Sequence, residues 1–154
     1  MEKYSFETPI GYLTLEGDSK SLSKVSFLET SDQKSPNSKV LREARKQLDE
    51  YFSGYREAFD IPLSPEGTDF QKKTWNALIK IPFGSSATYG DIAKEVKCPN
   101  GQRAVGMANN KNPLAIIVPC HRVIGKNGTL TGYAGGLKAK KFLLNLENNK
   151  DFKD

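Results

Sequence analysis

The chain is 154 residues long, which suffices for one domain or for a small module joined to a larger one. Its 23 lysines and arginines against 18 aspartates and glutamates give a net charge of +5 and a pI of about 9.1, a balance that favours anionic partners. The two cysteines are too few for a disulfide framework or a structural zinc site, and no apolar run approaches the roughly 20 residues that span a bilayer, which predicts a cytoplasmic protein without a membrane partner.

Short apolar stretches separated by turn residues open the chain. They cover residues 4–6, 12–15 and 25–28 and predict a small antiparallel sheet. The next segment carries apolar residues at helical spacing, Leu41, Ala44, Leu48 and Tyr51, and Gly54 follows as a stop signal. The N-terminal part therefore combines a sheet with one amphipathic helix.

Residues 58–67 contain Pro62 and Pro65 and lose the apolar periodicity. Such a stretch is typical of a linker. We therefore predict an N-terminal module over residues 1–62 and a second, mainly helical domain over residues 63–154. The fold class is α+β.

Helices dominate the second domain. Trp75, Leu78 and Ile79 indicate one helix, which ends at residues 82–84. Thr88 is placed to cap the next helix, with Asp91 at its third position, and the apolar positions of that helix follow a helical period: Tyr89, Ile92, Ala93 and Val96. A break at residues 98–101 leads into a further helix over residues 102–109. Two short helices joined by a tight turn predict a helix-turn-helix.

The second helix of this pair is unusual for a major-groove reader because it carries small residues, Ala104, Gly106 and Ala108. Small residues permit a close approach of the backbone to a narrow groove, read without sequence preference. Arg103 in its first turn is able to enter the base stack where a nucleotide has been extruded. The alternatives are a surface cation or phosphate contact for Arg103 and tight helix-helix packing for the small residues.

Cys120 and His121, the only histidine, follow the apolar run of residues 114–118, which we predict to be a buried strand. A thiolate is the nucleophilic form of cysteine, and a nearby imidazole generates it near neutral pH. The pair is therefore a candidate for nucleophilic chemistry, with a cysteine protease or hydrolase as one form of it. The alternative is that Cys120 is a small buried hydrophobe.

The C-terminal part begins with residues 125–128, which predict a hairpin turn. A glycine-rich turn around Tyr133 follows, which either covers a planar ligand or is a plain loop. The last helix has a predicted apolar face of Ala139, Phe142, Leu143 and Leu146. Glu147 near its end is able to orient His121, in the order of a carboxylate-imidazole-thiol triad, or is a solvated glutamate.

Several of these motifs occur together in one known family. The residue runs 103–106, 112–113, 119–123 and 132–136, with Glu147 downstream, resemble the methylated-DNA-protein-cysteine methyltransferases, also called O6-alkylguanine-DNA alkyltransferases. The resemblance is close over residues 65–148 and holds in outline for the first 60. It implies a ribonuclease H-like N-terminal module and a helix-turn-helix that binds duplex DNA in the minor groove.

The resemblance also implies a reaction and a set of roles. The damaged guanine is flipped into a pocket, and its alkyl group moves irreversibly to Cys120, once per protein molecule. His121 resembles the base that takes the thiol proton through a water, and Glu147 the group that orients this histidine. Asn112 is similar to a hinge that braces the site, and Tyr89 to the tyrosine that assists departure of the O6 oxygen.

For the base pocket and the DNA contact, the resemblance assigns further residues. Tyr133, the Ala134 backbone and Lys140 are expected at the pocket, with the Cys120 and Val123 carbonyls accepting the exocyclic amine of guanine. Arg103 resembles the residue that fills the vacated stack, and its helix supplies the remaining expected DNA contacts, Gln102, Ala104 and Gly106.

Two features bear on these expectations. Some relatives have serine where this chain has Ala134, and we expect altered pocket size or inhibitor preference from the change. The N-terminal module lacks the cysteines and histidines that bind zinc in some members, so we expect no zinc. We expect no other metal and no cofactor, because the lesion itself carries the group that is moved. The expected partner is double-stranded DNA containing O6-alkylguanine, with O4-alkylthymine as a further substrate and a monomer as the working form. A lesion-recognition module without transfer and a cysteine hydrolase remain the alternatives.

Overall fold

The computed structural model describes residues 1–27, 31 and 33–148. It divides into two compact units. The first comprises Met1–Glu66 with the short segment Pro113–Ala115, and the second comprises Gly67–Asn112 and the described residues from Ile116 onward. The boundary predicted between residues 62 and 63 stays a prediction.

The first unit contains a three-stranded antiparallel sheet in the order β1 (Glu2–Thr8), β2 (Gly11–Gly17) and β3 (Leu22–Ser26). The alternation of the strands places apolar side chains on one buried face, Tyr4, Phe6, Leu13, Leu15, Leu22 and Val25. The sheet predicted from the sequence is confirmed, although its third strand begins earlier than predicted. Leu28, at the end of the predicted strand, lies outside the described residues.

Helix α1 (Lys39–Phe52) also belongs to this unit. Its buried face contains the predicted residues Leu41, Ala44, Leu48 and Tyr51, all at most 1% exposed. Ser38 caps its N-terminus by accepting from the Leu41 N–H, and Gly54 follows its end with a φ of +83°, a conformation that glycine adopts without steric cost. The predicted amphipathic helix is therefore confirmed.

The second unit is built around four helices, α2 (Asp69–Ile79), α3 (Tyr89–Glu95), α4 (Gln102–Asn110) and α5 (Leu137–Asn148). Helix α2 packs against both α3 and α4, and the indole N–H of Trp75 in α2 donates to the Ala108 carbonyl of α4 at 2.8 Å. The short strands β4 (Ala87–Thr88) and β5 (Val123–Ile124) pair in parallel. Thr88 and Asp91 form a reciprocal capping box at the start of α3, as the sequence predicts.

Three sequence-based expectations about this unit are wrong. The run 114–118 is buried, but it forms turns rather than a strand, and only Leu114 makes an isolated bridge, to Val25. Residues 125–128 do form a turn, but β5 before it pairs in parallel with β4, so this turn does not join two strands of a β-hairpin. In α5 the buried face is shifted from the predicted one, with Phe142 exposed and the following side chains buried: Ala139, Lys140, Leu143, Leu144 and Glu147.

No helix in the described part of the chain is long and apolar enough to cross a membrane.

Candidate active site and DNA-binding face

Cys120 opens a single 3-10 turn, Cys120–Arg122, that begins directly after Pro119. Its side chain is buried, and its backbone N–H donates to the Val118 carbonyl at 2.7 Å. Burial raises the pKa of the Cys120 thiol, while a hydrogen bond from Asn112 and the charge of Lys140 act in the opposite direction. The resting residue is therefore a thiol, and it needs a base to become a nucleophile.

The other two residues of this turn form a buried ion-pair cluster with Glu147. The Nε2 atom of His121 is 2.6 Å from Oε2 of Glu147, and Arg122 donates from Nε to Oε1 at 2.8 Å and from Nη2 to Oε2 at 3.0 Å. Arg122 also donates from Nη1 to the Ile81 carbonyl at 2.6 Å. One carboxylate at the end of α5 thus fixes both side chains that follow the cysteine, and the solvated alternative for Glu147 is wrong.

The protonation states of this cluster follow from its contacts. Burial raises the pKa of Glu147, but the hydrogen bonds from His121 and Arg122 outweigh it and lower the pKa to about 2. Burial lowers the pKa of His121 despite the opposing influence of Glu147. We therefore assign a neutral imidazole whose Nε2–H donates to an ionised carboxylate.

That assignment leaves Nδ1 of His121 as an acceptor. The atom is buried and has no hydrogen-bond partner among the described residues. A neutral imidazole nitrogen in this state is able to take a proton, and the positive charge that results faces Glu147 on the other side of the ring. The cluster thus supplies a candidate base, His121, with an orienting carboxylate, on the residue that follows Cys120 in the chain.

Asn112 lies just before the buried run that leads to the cysteine. Its side-chain Nδ2 donates to the Val118 carbonyl at 2.8 Å, and its side chain also hydrogen-bonds the Cys120 thiol. The residue therefore ties the backbone before the turn to the sulfur. The run itself includes Ile116 with a φ of +73°, an uncommon conformation for a β-branched residue, which the surrounding burial maintains.

Lys140 of α5 is fully buried, and its ammonium group is surrounded by oxygen atoms. Its Nζ donates to the Val123 carbonyl at 2.6 Å, to the Thr131 carbonyl at 3.2 Å and to Oγ1 of Thr131 at 3.3 Å. Oγ1 of Thr131 is in turn 2.6 Å from the hydroxyl of Tyr89. Burial lowers the pKa of Lys140 to about 8, with the nearby Cys120 acting against this shift.

The glycine-rich segment places an aromatic ring beside the histidine. The ring of Tyr133 stands edge-on to the imidazole of His121, with centroids 6.4 Å apart and planes at 79°. The Gly136 N–H donates to the Tyr133 carbonyl at 2.9 Å, and the φ of +93° at Gly136 requires glycine there. Ala134 at the tip of this turn is exposed.

Helices α3 and α4 form the predicted two-helix arrangement, connected through residues 96–101. One face of α4 is exposed and carries Gln102, Arg103, Ala104 and Met107, the last with 65% of its surface accessible. A cavity of about 380 Å³ opens beside this face, lined by Thr88, Tyr89, Gly90, Asp91, Lys94, Gln102 and Lys126. The site residue Tyr89 thus borders both this cavity and the Lys140 cluster.

The packing around α4 among the described residues does not require glycine at position 106. A Cβ atom added there would lie 3.8 Å from Cε1 of Tyr89, which is ordinary van der Waals contact. At Gly101, before α4, an added Cβ would lie 2.6 Å from the Cys98 carbonyl oxygen, so glycine is required by the turn. The turn before α4 therefore accounts for Gly101, whereas tight helix packing does not account for Gly106.

The structure brings together the predicted residues Cys120, His121 and Glu147, and it also reveals residues that sequence reasoning missed. Arg122 is the second partner of Glu147, and Thr131 connects Lys140 with Tyr89. Arg122 stands beside His121 in the chain, but its sequence position does not indicate which carboxylate it meets. No group of three or more metal-ligating residues is present in the described ranges.

Comparisons with known proteins give one consistent result. The family model for the DNA-binding domain of 6-O-methylguanine DNA methyltransferase matches residues 69–149, and the model for the ribonuclease-like domain of the same family matches residues 1–65. A methylated-DNA-protein-cysteine methyltransferase of Methanosarcina acetivorans is 54% identical over 94% of this chain and 96% of its own. A constitutive protein of that name from Bacillus subtilis is 47% identical over 92% of each chain.

Comparison with solved structures gives the same result as comparison with family models and relatives. The crystal structure of Mycobacterium tuberculosis OGT in complex with DNA superposes with a TM-score of 0.89 at 44% identity, covering 97% of this chain and 94% of that one. The O6-methylguanine methyltransferase of the same organism gives a TM-score of 0.87 at 43% identity and covers 99% of this chain.

Proposed function

The chain belongs to the 6-O-methylguanine DNA methyltransferase family, and on that premise we propose that Cys120 is the residue to which it transfers alkyl groups from damaged DNA. The protein is a DNA repair protein that moves a methyl or other alkyl group from O6-alkylguanine in duplex DNA to its own cysteine. Transfer is irreversible, so each molecule acts once. The observation that carries the assignment is the buried thiol of Cys120 beside the His121–Glu147 pair, which spans 2.6 Å.

Transfer needs a thiolate in a site where burial disfavours charge. The proton leaves Sγ of Cys120 for Nδ1 of His121 through a bridging water, and the resulting imidazolium faces the ionised Glu147. The thiolate then attacks the alkyl carbon, so that a carbon-sulfur bond forms as the carbon-oxygen bond breaks and guanine leaves with the electron pair. Tyr89 donates a hydrogen bond to the departing base. Asn112 keeps the sulfur and the preceding backbone aligned for this displacement.

The base pocket is formed by Tyr133, the Ala134 backbone and the carbonyls of Cys120 and Val123. The Val123 carbonyl already accepts from Lys140, but a carbonyl oxygen has a second lone pair for the exocyclic amine of guanine. Lys140 is fully buried, so its contribution is to hold Val123 and Thr131 at the pocket wall. A flipped base reaches this pocket at a cost of a few kcal/mol, least for a weakly paired lesion.

Helix α4 is the proposed contact with the minor groove. Gln102, Arg103 and Ala104 lie on its exposed face, and Gly106 has room for a methyl group within the protein. A glycine that the fold does not need is explained by close approach of DNA to the helix. Arg103 fills the space that the flipped nucleotide leaves in the stack.

The proposal extends to the form and location in which the protein works. The protein works as a monomer in the cytoplasm on double-stranded DNA, without metal or cofactor, because the lesion itself carries the group that is moved. O4-alkylthymine is a further proposed substrate. The alanine at position 134 changes pocket size or inhibitor preference, which a comparison of inhibitor sensitivity with the Ala134→Ser variant measures.

Intact-protein mass spectrometry tests the transfer. After incubation with duplex DNA carrying one O6-methylguanine, we expect a gain of one methylene mass, saturating at one per protein and located on Cys120 by peptide mapping. Cys98→Ser is the matched control that keeps the gain, and Cys120→Ser abolishes it. Binding without a mass gain supports a lesion-recognition module instead, and repeated release of product supports a hydrolase.

A further inference from the structure

Thr131 lies between two residues of the proposed site. Its Oγ1 is 3.3 Å from Nζ of Lys140 and 2.6 Å from the hydroxyl of Tyr89. The three groups therefore form a continuous chain of hydrogen bonds within the second unit. Thr131 precedes the glycine-rich turn, and neither the sequence motifs nor the comparisons assign it a role.

The buried end of this chain determines the direction of its first hydrogen bond. An ammonium group has three N–H donors and no acceptor, and Lys140 has three oxygen atoms within reach, the carbonyls of Val123 and Thr131 and Oγ1 of Thr131. Oγ1 must therefore accept from Lys140. The hydrogen of the Thr131 hydroxyl is then available to donate to the oxygen of Tyr89, and this is the direction on which the inference rests.

The direction of the hydrogen bond between Thr131 and Tyr89 decides whether the phenol can donate elsewhere. A phenol that accepts from Thr131 keeps its own hydrogen available for a different acceptor. Hydrogen bonds in a chain polarise one another, so the charge of Lys140 makes the Tyr89 hydroxyl a better donor. Burial lowers the pKa of Lys140 to about 8, which leaves the ammonium form predominant at neutral pH.

We propose that Thr131 is a positioning residue that holds the Tyr89 hydroxyl as a hydrogen-bond donor towards the departing guanine. The inference rests on the proposed function, in which Tyr89 assists that departure. Thr131 itself exchanges no proton with the substrate and makes no bond to it. It acts through Tyr89 by fixing which partner the phenol accepts from.

Four variants test the proposal: Thr131→Val, Thr131→Ser, Tyr89→Phe and the double variant Thr131→Val with Tyr89→Phe. Valine keeps the shape of threonine without its hydroxyl, and serine keeps the hydroxyl. The single-turnover rate is measured at saturating DNA containing O6-methylguanine, together with the DNA concentration that gives half the maximal rate.

We expect Thr131→Val to lower the saturating rate by about three- to tenfold, the equivalent of one lost hydrogen bond, without changing the half-saturating DNA concentration. Thr131→Ser restores the rate. In the Tyr89→Phe background, Thr131→Val has no further effect, because the residue acts only through the phenol. A Thr131→Val protein at the wild-type rate, or an equal loss in the Tyr89→Phe background, overturns the proposal.

A spectroscopic measurement separates this inference from the transfer reaction. The tyrosine Raman doublet reports whether a phenol donates or accepts hydrogen bonds, and the difference between wild type and Tyr89→Phe isolates Tyr89. We expect an accepting phenol in the free wild-type protein and loss of that signature in Thr131→Val. A wild-type protein that shows this signature but transfers no alkyl group refutes the proposed function and leaves the hydrogen-bond assignment intact. An unchanged doublet in Thr131→Val refutes the assignment, whatever the protein transfers.

Discussion

Glu147 is the residue on which two buried side chains depend. Its two oxygen atoms receive the hydrogen bonds of both His121 and Arg122, and no part of its carboxylate is exposed. A buried pair contributes little net stability as a whole, but removal of one partner leaves the other charge uncompensated. The same carboxylate therefore matters for stability through Arg122 and for the proposed proton transfer through His121.

Replacement of Glu147 by glutamine tests both roles. We expect the free energy of unfolding at pH 7 to fall by about 3–5 kcal/mol, because the Arg122 guanidinium stays buried without its counter-charge. Alkyl transfer slows as well, since the imidazolium loses its stabilising anion. Urea unfolding and single-turnover kinetics measure the two effects. Glu95→Gln is the matched control, because Glu95 forms an exposed pair with Lys80 at 3.3 Å, and its loss changes stability by about 0.5 kcal/mol or less.

The difference between wild type and the Glu147→Gln protein also depends on pH. The pKa of Glu147 is about 2 in the folded protein against an ordinary value of 4.5, so the unfolded chain binds the extra proton first. The stabilisation is therefore complete above pH 4.5 and is lost as pH falls towards 2. The stability gap between the two proteins should narrow over this range, and a gap that stays constant contradicts the role assigned to the charge.

At the scale of elements, the turn before α4 contains a glycine that the fold requires, Gly101, whereas α4 itself contains one that the fold does not require, Gly106. We expect Gly106→Ala to stabilise the protein by roughly 0.5–1 kcal/mol, because alanine loses less conformational freedom in a helix and its Cβ fits 3.8 Å from the Tyr89 ring. DNA binding weakens by about fivefold or more if the methyl group costs about 1 kcal/mol at the groove, as an overpacked methyl does. Thermal unfolding and fluorescence anisotropy with duplex DNA measure the two quantities.

Gly101→Ala is the contrasting variant for this prediction. Its Cβ would lie 2.5 Å from Sγ and 2.6 Å from the carbonyl oxygen of Cys98, so we expect it to destabilise the turn before α4. A Gly106→Ala protein that binds DNA as tightly as wild type would remove the main support for close approach of the groove to this helix.

Elements with local signals could be predicted from the sequence. The capping box of Thr88 and Asp91 is encoded within one turn, and the buried face of α1 follows from its apolar spacing. The conformation of the run 114–118 could not be predicted from the sequence. Its apolar composition indicates burial but not conformation, and a positive φ at Ile116 has no sequence signature. The predicted buried face of α5 is wrong for a related reason, because two of the residues on its actual buried face are charged.

Those two charged residues show why the candidate site was only partly predictable. Lys140 is buried with carbonyl and hydroxyl acceptors and Glu147 with Arg122 and His121, and apolar periodicity does not reveal such partners elsewhere in the chain. Cys120, His121 and Glu147 were identified by motif, whereas Arg122 and Thr131 were found only through their contacts.

For the whole molecule, every proposed site residue belongs to the second unit, from Tyr89 to Glu147. Within this unit the acceptor thiol is 6% exposed and hydrogen-bonded by Asn112, so a methyl group added to the sulfur has to be accommodated largely inside the protein. Protein interiors are packed as densely as organic crystals, and they accommodate extra groups only by shifting their neighbours. The reacted protein must therefore differ in stability from the unreacted one.

We expect methylation of Cys120 to destabilise the protein. The added methyl group overpacks the site, and the methylated sulfur has lost the hydrogen it carried as a thiol, so its contact with Asn112 is changed as well. An overpacking cost of about 1–3 kcal/mol corresponds to a fall in melting temperature of roughly 2–10 °C for a chain of this size. Thermal unfolding after complete reaction and removal of DNA measures this shift, with Cys120→Ser taken through the same incubation as the control. An unchanged or higher melting temperature in the methylated protein would mean that the pocket already contains room for the alkyl group. The rate of transfer would then change little with the size of the alkyl group.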